Sequence, residues 1–279
     1  MPSTVAWQIH IDHMRREGSV LRNAGELEAL EQSFARGLET LWLAFQPIVR
    51  ALDGVVFGWE ALVRTSEPTL AQATAVVNAA ETLERLVDLG RAVRAHAARQ
   101  IENVRPDGHI FINVDLRELF DPTLTSHDGP LLHVASQVVL EITERAVVEP
   151  SPKLYRRLAE LREVGYLIAL DDLGSGNASL ASFVRILPDI VKLDRSLVQN
   201  IGVEPVQQKL IRAVASLARD CGCMVVGEGV ETQEEREALE SLGCDLLQGY
   251  LLGPPARRIG SIVPHRSGTT DPQTTFDLR

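Results

Sequence analysis

The run Tyr166-Leu167-Ile168-Ala169-Leu170-Asp171-Asp172-Leu173-Gly174-Ser175-Gly176 ends a short apolar stretch in two adjacent carboxylates, followed by a glycine-serine loop. An apolar run of that length reads as a buried strand. Successive side chains on a strand point to opposite faces, so Asp171 and Asp172 can serve one site only where the strand is ending and its geometry relaxes. Taken alone, the pair has a plainer explanation, with one Asp capping the next helix and the other solvated. Its company argues otherwise. Polar residues recur where strands are expected to end: Glu60, Asn113, Glu141, Asp171 with Asp172, Lys192 with Asp194, Glu228 with Glu231, and Gln248. Several carboxylates in one pocket repel one another, and bound cations are the usual remedy. An oxygen-rich set without Cys or His suits Mg²⁺ or Mn²⁺ better than Zn²⁺. Two such ions would acidify a water and stabilise charge on a phosphoryl group, which makes phosphoester hydrolysis the natural reaction class. Singly, Asn113 could satisfy backbone, Lys192 could pair with Asp194, and Glu231 could sit in a helix's first turn. The joint placement carries the inference.

The elements that must position these residues follow from periodicity. Leu27, Leu30, Phe34, Leu38 and Leu41 recur about every 3.5 residues and predict one amphipathic helix over 25–41. Apolar runs at 43–49 and 55–63 are joined only by Arg50-Ala51-Leu52-Asp53-Gly54, too short for a parallel crossover, so they predict an antiparallel hairpin. The second run carries Glu60, a costly residue in an apolar strand unless it is paired or binds a cation. Residues 69–104 read as helix, in one piece or split in two, and 109–114 and 137–143 as strands; 121–130 has turn chemistry and is expected to be an exposed connection. Beyond them, helices at 154–164, 180–186, 206–221 and 233–242 alternate with strands at 166–172, 189–194, 223–228 and 245–250. That alternation predicts parallel strands with crossover helices. Eight candidate strands suffice to close an α/β barrel of the (β/α)8 TIM-like type with an antiparallel first hairpin; an open doubly wound sheet is the alternative. The polar strand ends would converge on the barrel's mouth.

The chain has 279 residues, 45% of them hydrophobic, enough to bury one large core. A net charge of −10 argues against long nucleic acid as a partner, since no bulk positive field is present to hold phosphates. A small anionic ligand remains compatible if metal ions reverse the local field. No run is apolar enough to span a bilayer and residues 1–7 lack the pattern of a secretory signal, so a cytoplasmic protein without membrane contact is expected. Cys221, Cys223 and Cys244 lack zinc-ligand spacing and read as small apolar residues in a reducing compartment. At the start, Trp7, Ile9 and Ile11 could form an extended arm over 1–24, with His10 and His13 as surface residues; 261–279 is expected to be a disordered tail.

The motifs, taken in order, resemble those of the EAL-domain phosphodiesterases, which linearise the bacterial second messenger cyclic di-GMP to pGpG. The matching stretches are Phe45-Gln46-Pro47-Ile48-Val49, Glu60-Ala61-Leu62-Val63-Arg64, Asn113-Val114, Glu141-Ile142-Thr143-Glu144, Asp171 to Gly176, Lys192-Leu193-Asp194, Glu228-Gly229-Val230-Glu231-Thr232 and Gln248-Gly249-Tyr250. They span roughly 27–255 within a barrel domain expected over 25–260. The resemblance implies that Glu60, Asn113, Glu141 and Asp171 hold a first Mg²⁺ or Mn²⁺, that Asp172 helps hold a second, and that Glu228 acts at the metals directly or through water. It also implies that Lys192 orients or polarises the attacking water, that Arg64 contacts a substrate phosphate, and that Gln46, Gln248 and Asp194 help place water or ligand. Glu144, Gly174, Ser175 and Gly176 would support the loop after Asp172. Leu173 stands where the family usually has Phe and Asn177 where it usually has Tyr, departures that bear on how this loop closes. A homodimer is implied too, and a regulatory protein could act through the N-terminal segment. The alternative is a receptor that binds cyclic di-GMP without turnover and signals to a partner. Degenerate receptors typically lose metal-binding carboxylates, and none is missing here.

Overall fold

The computed structural model describes residues 24–143, 151–174 and 180–260. Residues 1–23 of the expected N-terminal arm, Glu144, Ser175, Gly176, Asn177 and the tail lie outside the described residues, and Ala24, expected to end the arm, opens a helix. Helix α1 (Ala24–Glu39) turns Leu30, Phe34 and Leu38 to the core and leaves Leu27 exposed, while Leu41 already belongs to strand β1. Strands β1 (Leu41–Arg50) and β2 (Val56–Thr65) form the expected antiparallel hairpin. The stretch read as one or two helices is α2 (Ala73–Thr82) and α3 (Leu86–Val104). Strand β3 (His109–Val114) and the short α4 (Leu116–Leu119) follow, then β4 (Val138–Thr143), α5 (Pro152–Val164) and β5 (Leu167–Leu173). The chain continues through α6 (Leu180–Ile186), β6 (Ile190–Leu193), α7 (Arg195–Val198), α8 (Pro205–Asp220), β7 (Met224–Gly227), α9 (Gln233–Leu242) and β8 (Leu246–Gln248).

The strands close into a barrel in sequence order, parallel from β2 to β8, with β1 antiparallel to both neighbours. Local chemistry sets several boundaries. Ser151 caps α5 with Pro152 in its first turn, and Gly165 at φ 114° ends it, a conformation a side chain disfavours. Thr232 and Glu235 form a reciprocal capping box at the start of α9, so Glu231 precedes this helix and pairs with Arg195 at 3.0 Å.

The connection over 121–130 departs from expectation. Asp121 is buried, accepting from Arg91 Nε at 2.8 Å and Arg94 Nη2 at 2.6 Å, and Leu124 is buried with its carbonyl accepting from the Tyr166 hydroxyl. Turn residues report local backbone preference; the arginines that draw this segment inward lie on a helix some thirty positions earlier.

The apolar core has two parts. One lies between barrel and helices; the other fills the barrel with Ile48, Phe111, Val139, Ala169, Ile190, Val226 and Leu246. Gly58 holds the corresponding place on β2, where an added Cβ would lie 3.0 Å from the Phe111 ring and 2.4 Å from the His109 carbonyl oxygen.

Candidate functional site

The period of two along a strand turns this floor into a site. One pleat nearer the mouth, on the same inward face, stand Gln46, Glu60, Asn113, Glu141, Asp171, Lys192, Glu228 and Gln248, one from each strand or its immediate end. All except Asn113, which is exposed, and Glu228, which is partly open, are buried. Asp172 joins them through a bulge. Leu170 pairs with Val191 and Leu173 with Leu193, so Asp171 and Asp172 together oppose Lys192 alone, and Asp172 sits at φ 63°. The strand therefore runs on to Leu173 instead of ending at the carboxylates. The left-handed residue breaks the alternation that would send Asp172 outward, and Asp tolerates that conformation better than most residues.

Lys192 is the hub. Its Nζ lies 2.7 Å from Glu141 Oε1, 2.7 Å from Glu228 Oε1, 3.4 Å from Asp171 Oδ1 and 3.5 Å from Glu60 Oε2. The pairing with Asp194 considered from sequence does not form among these contacts; Asp194 Oδ1 caps α7 by accepting from the Ser196 N–H, and its buried Oδ2 accepts no hydrogen bond. Glu60 accepts from Asn113 Nδ2 at 2.9 Å and Gln248 Nε2 at 2.7 Å. Gln46 donates to the Gly253 carbonyl at 3.3 Å and accepts from Gln248 at 3.4 Å. Arg64, two pleats above Glu60 on β2, donates to the Val63 carbonyl at 2.8 Å. Gly174 closes the strand at φ 109°, where an added Cβ would lie 2.3 Å from Leu197 Cδ1, so a side chain is excluded twice over.

Electrostatics separate these carboxylates. Burial raises the Glu60 carboxyl, but Lys192 and the hydrogen bonds from Gln248 and Asn113 outweigh it and hold it below its usual range. Burial, reinforced by neighbouring carboxylates against the pull of Lys192, lifts Glu141 and Glu228 well above theirs and also raises Asp171. Asp172 is pushed up to about 8 by burial and by the charge on Asp171. Lys192 stays protonated far above neutrality because its acidic neighbours overcome its own burial. One ammonium cannot balance Glu60, Glu141, Asp171, Asp172 and Glu228.

The oxygens left over fit a cation. Glu141 Oε2 is buried without a hydrogen bond, Glu141 Oε1 and Asp171 Oδ1 face the shared Lys192 ammonium, and ligand atoms of Asp171, Asp172 and Glu228 lie within 4.8 Å of one another. Oxygen ligands of this kind suit hard divalent ions. Sequence reasoning assembled this ring but overlooked Trp42, whose Cα pairs with that of Arg64 on the mouth-facing side of the hairpin. Counting back by twos from Gln46 would have found it. The cysteines are free; Cys223 and Cys244 are buried, which pushes each thiol up to about 12, and Cys221 is exposed. Among the described residues no helix is long and apolar enough to cross a membrane.

A closed (β/α)8-type barrel with an antiparallel first hairpin and a carboxylate-rich mouth defines the class. Within it the profile of the EAL domain matches residues 27–255, and the chain belongs to the EAL domain family. It is 32% identical over 227 residues to the probable cyclic di-GMP phosphodiesterase PdeN of Escherichia coli, covering 78% of this chain and 44% of that protein. Among solved structures, the PaMucR phosphodiesterase in complex with c-di-GMP superposes with TM-score 0.70 at 30% identity, covering 78% of this chain and 97% of that one. Klebsiella pneumoniae BlrP1, in its manganese and cyclic di-GMP complex at pH 6, gives TM-score 0.70 at 30% identity, covering 78% of this chain and 56% of that one. The chain spans 27% to 44% of the lengths of the curated relatives it matches.

Proposed function

We propose that this chain is a metal-dependent phosphodiesterase that hydrolyses cyclic di-GMP to linear pGpG. The observation that carries the reading is the carboxylate excess around Lys192, one ammonium shared among several carboxylates, with the buried Glu141 Oε2 left without a hydrogen bond. Related structures with manganese or calcium and cyclic di-GMP support the choice of ion class and substrate.

Glu60, Asn113, Glu141 and Asp171 would hold one Mg²⁺ or Mn²⁺, and Asp172 with Asp171 and Glu228 a second. Bound ions of this kind supply Lewis acidity, making water a nucleophile near neutral pH and offsetting charge on a phosphoryl group. Lys192, fixed by Glu141 and Glu228, keeps an ammonium at the floor of the pocket, where it orients the attacking water and donates to it or to a phosphoryl oxygen. Gln248 holds Glu60 in register, and Gln46 steadies Gln248. Arg64, on the mouth-facing side of the hairpin, would face a substrate phosphate. Asp194 turns its unbonded Oδ2 to the ligand or its water, while Gly174 lets the loop after Asp172 start without a clash.

Incubation with cyclic di-GMP and Mg²⁺ or Mn²⁺, followed by chromatography of pGpG, tests this. Product should form and should fall at least about a hundredfold in Asp171→Asn and Glu60→Ala. Tight binding without turnover under both metals would contradict the enzyme reading and favour a receptor.

A further inference from the structure

The β1–β2 hairpin rises above the rest of the barrel, and its inward face carries more than the polar ring. Counting by twos from Gln46 and Glu60 gives Ala44 with Leu62, then Trp42 with Arg64 as Cα partners. That pair stands ~13 Å along the strands from the ring, four residues at the rise of a β-strand. On the other side of β1 the chain returns after β8 and is fastened by two hydrogen bonds between Phe45 and Ala256, at 2.7 and 3.0 Å. Its next residue, the exposed Arg257, lays its guanidinium over the half-buried Trp42 ring, 4.5 Å from the centroid. The Ala256 bonds already anchor this segment, so the Arg257–Trp42 stack is not needed to hold it.

An indole flanked by two arginines, at the top of a wall descending to a phosphoester-cleaving floor, matches the needs of a nucleotide. Every base has a π face that stacks on aromatic rings and on guanidinium planes, and arginine adds charge complementary to phosphate. With the scissile phosphate at the carboxylates, the distal half of a cyclic dinucleotide must leave the pocket along a wall, and this is the tall one. We infer that Trp42 and Arg257, with Arg64 beside them, form a stacking subsite for the purine base remote from the reacting phosphate. The inference rests on the proposed activity and adds the element that would distinguish a dinucleotide from other phosphodiesters.

The test compares kcat/KM for cyclic di-GMP with that for bis(p-nitrophenyl) phosphate, which carries no base, in wild type, Trp42→Ala, Trp42→Phe and Arg257→Ala. The ratio should fall about tenfold in Trp42→Ala and severalfold in Arg257→Ala, through KM for the dinucleotide, and should stay within about threefold of wild type in Trp42→Phe. A folding defect lowers both substrates together and leaves the ratio alone, which is why the exposed Arg257 is tested as well. A ratio unchanged in both alanine variants overturns the subsite while leaving the phosphodiesterase reading intact. A wild type that neither binds nor cleaves cyclic di-GMP overturns both.

Discussion

Two clusters of buried charge lie in this barrel, and they are built on opposite terms. Outside the sheet, Arg91 and Arg94 on α3 meet Glu118 and Asp121, two cations against two anions, with Arg94 bonded to both carboxylates at 2.6 Å. Arg157 on α5 adds hydrogen bonds to the carbonyls of Leu119 and Asp121. At the mouth, Lys192 alone faces Glu60, Glu141, Asp171 and Glu228, with Asp172 beside them. A set in which two arginines meet two carboxylates is a clamp; it fixes the path of 115–125 against the helices. An excess of carboxylates around one ammonium, with Glu141 Oε2 left without a hydrogen bond, works against the fold until a cation arrives. Burial alone therefore does not mark a functional site, whereas burial with charge imbalance does.

Substitution should separate the two most widely. At the mouth, Asp171→Asn removes one of several like charges, so it should abolish most turnover while leaving the cation-free protein as stable as wild type or more so, read by denaturant unfolding in chelator. In the clamp, Asp121→Asn leaves Arg91 and Arg94 short of their acceptor, and unfolding should become easier by about 3–5 kcal/mol. A mouth variant that unfolds as readily as the clamp variant would erase the distinction.

The pH responses sharpen it further. In the clamp, burial raises the Asp121 carboxyl but hydrogen bonds from Arg91 and Thr123 and the charge on Arg94 bring it down to about 2. Its folded pKa lies below the unfolded value, so its stabilisation is present above the ordinary Asp range and is lost as pH falls through it toward 2. Glu118 has the opposite sign. Burial lifts it to about 7 against the pull of Arg94, so its contribution is present below the ordinary Glu range and declines as pH rises toward 7. Unfolding free energy against pH should lose its acid-side slope in Asp121→Asn and its slope between about pH 5 and 7 in Glu118→Gln. At the mouth, Asp172 at about 8 means that cations displace protons: Mn²⁺ affinity should rise with pH up to about 8, and binding at pH 7 should release protons to buffer, measured as a buffer-dependent heat.

How far the sequence foretells each cluster follows from the range of the interactions. The mouth was readable because its residues fall at strand ends, and strand ends show as apolar runs that stop; the hairpin was readable because five residues cannot carry a crossover. The bulge was not. Nothing in Asp171-Asp172-Leu173 distinguishes a strand that stops from one that takes a left-handed step and continues to pair with β6. Nor was the clamp, since Arg94 meets Asp121 across 27 positions and the turn-forming residues of 121–130 speak only for their own backbone. Asp194 shows the same limit: its place after Lys192 suggested a pair, yet the short α7 takes one of its oxygens as a cap.

The central claim is that the mouth is a divalent-cation site by virtue of its charge imbalance. Calorimetric titration of the chelated protein with Mn²⁺ at pH 7, in wild type and in Glu141→Gln, tests it most directly. The account predicts two ions bound per wild-type chain with proton release, and a weakened or lost site in the variant. Saturation of neither protein, or equal binding by both, would contradict it.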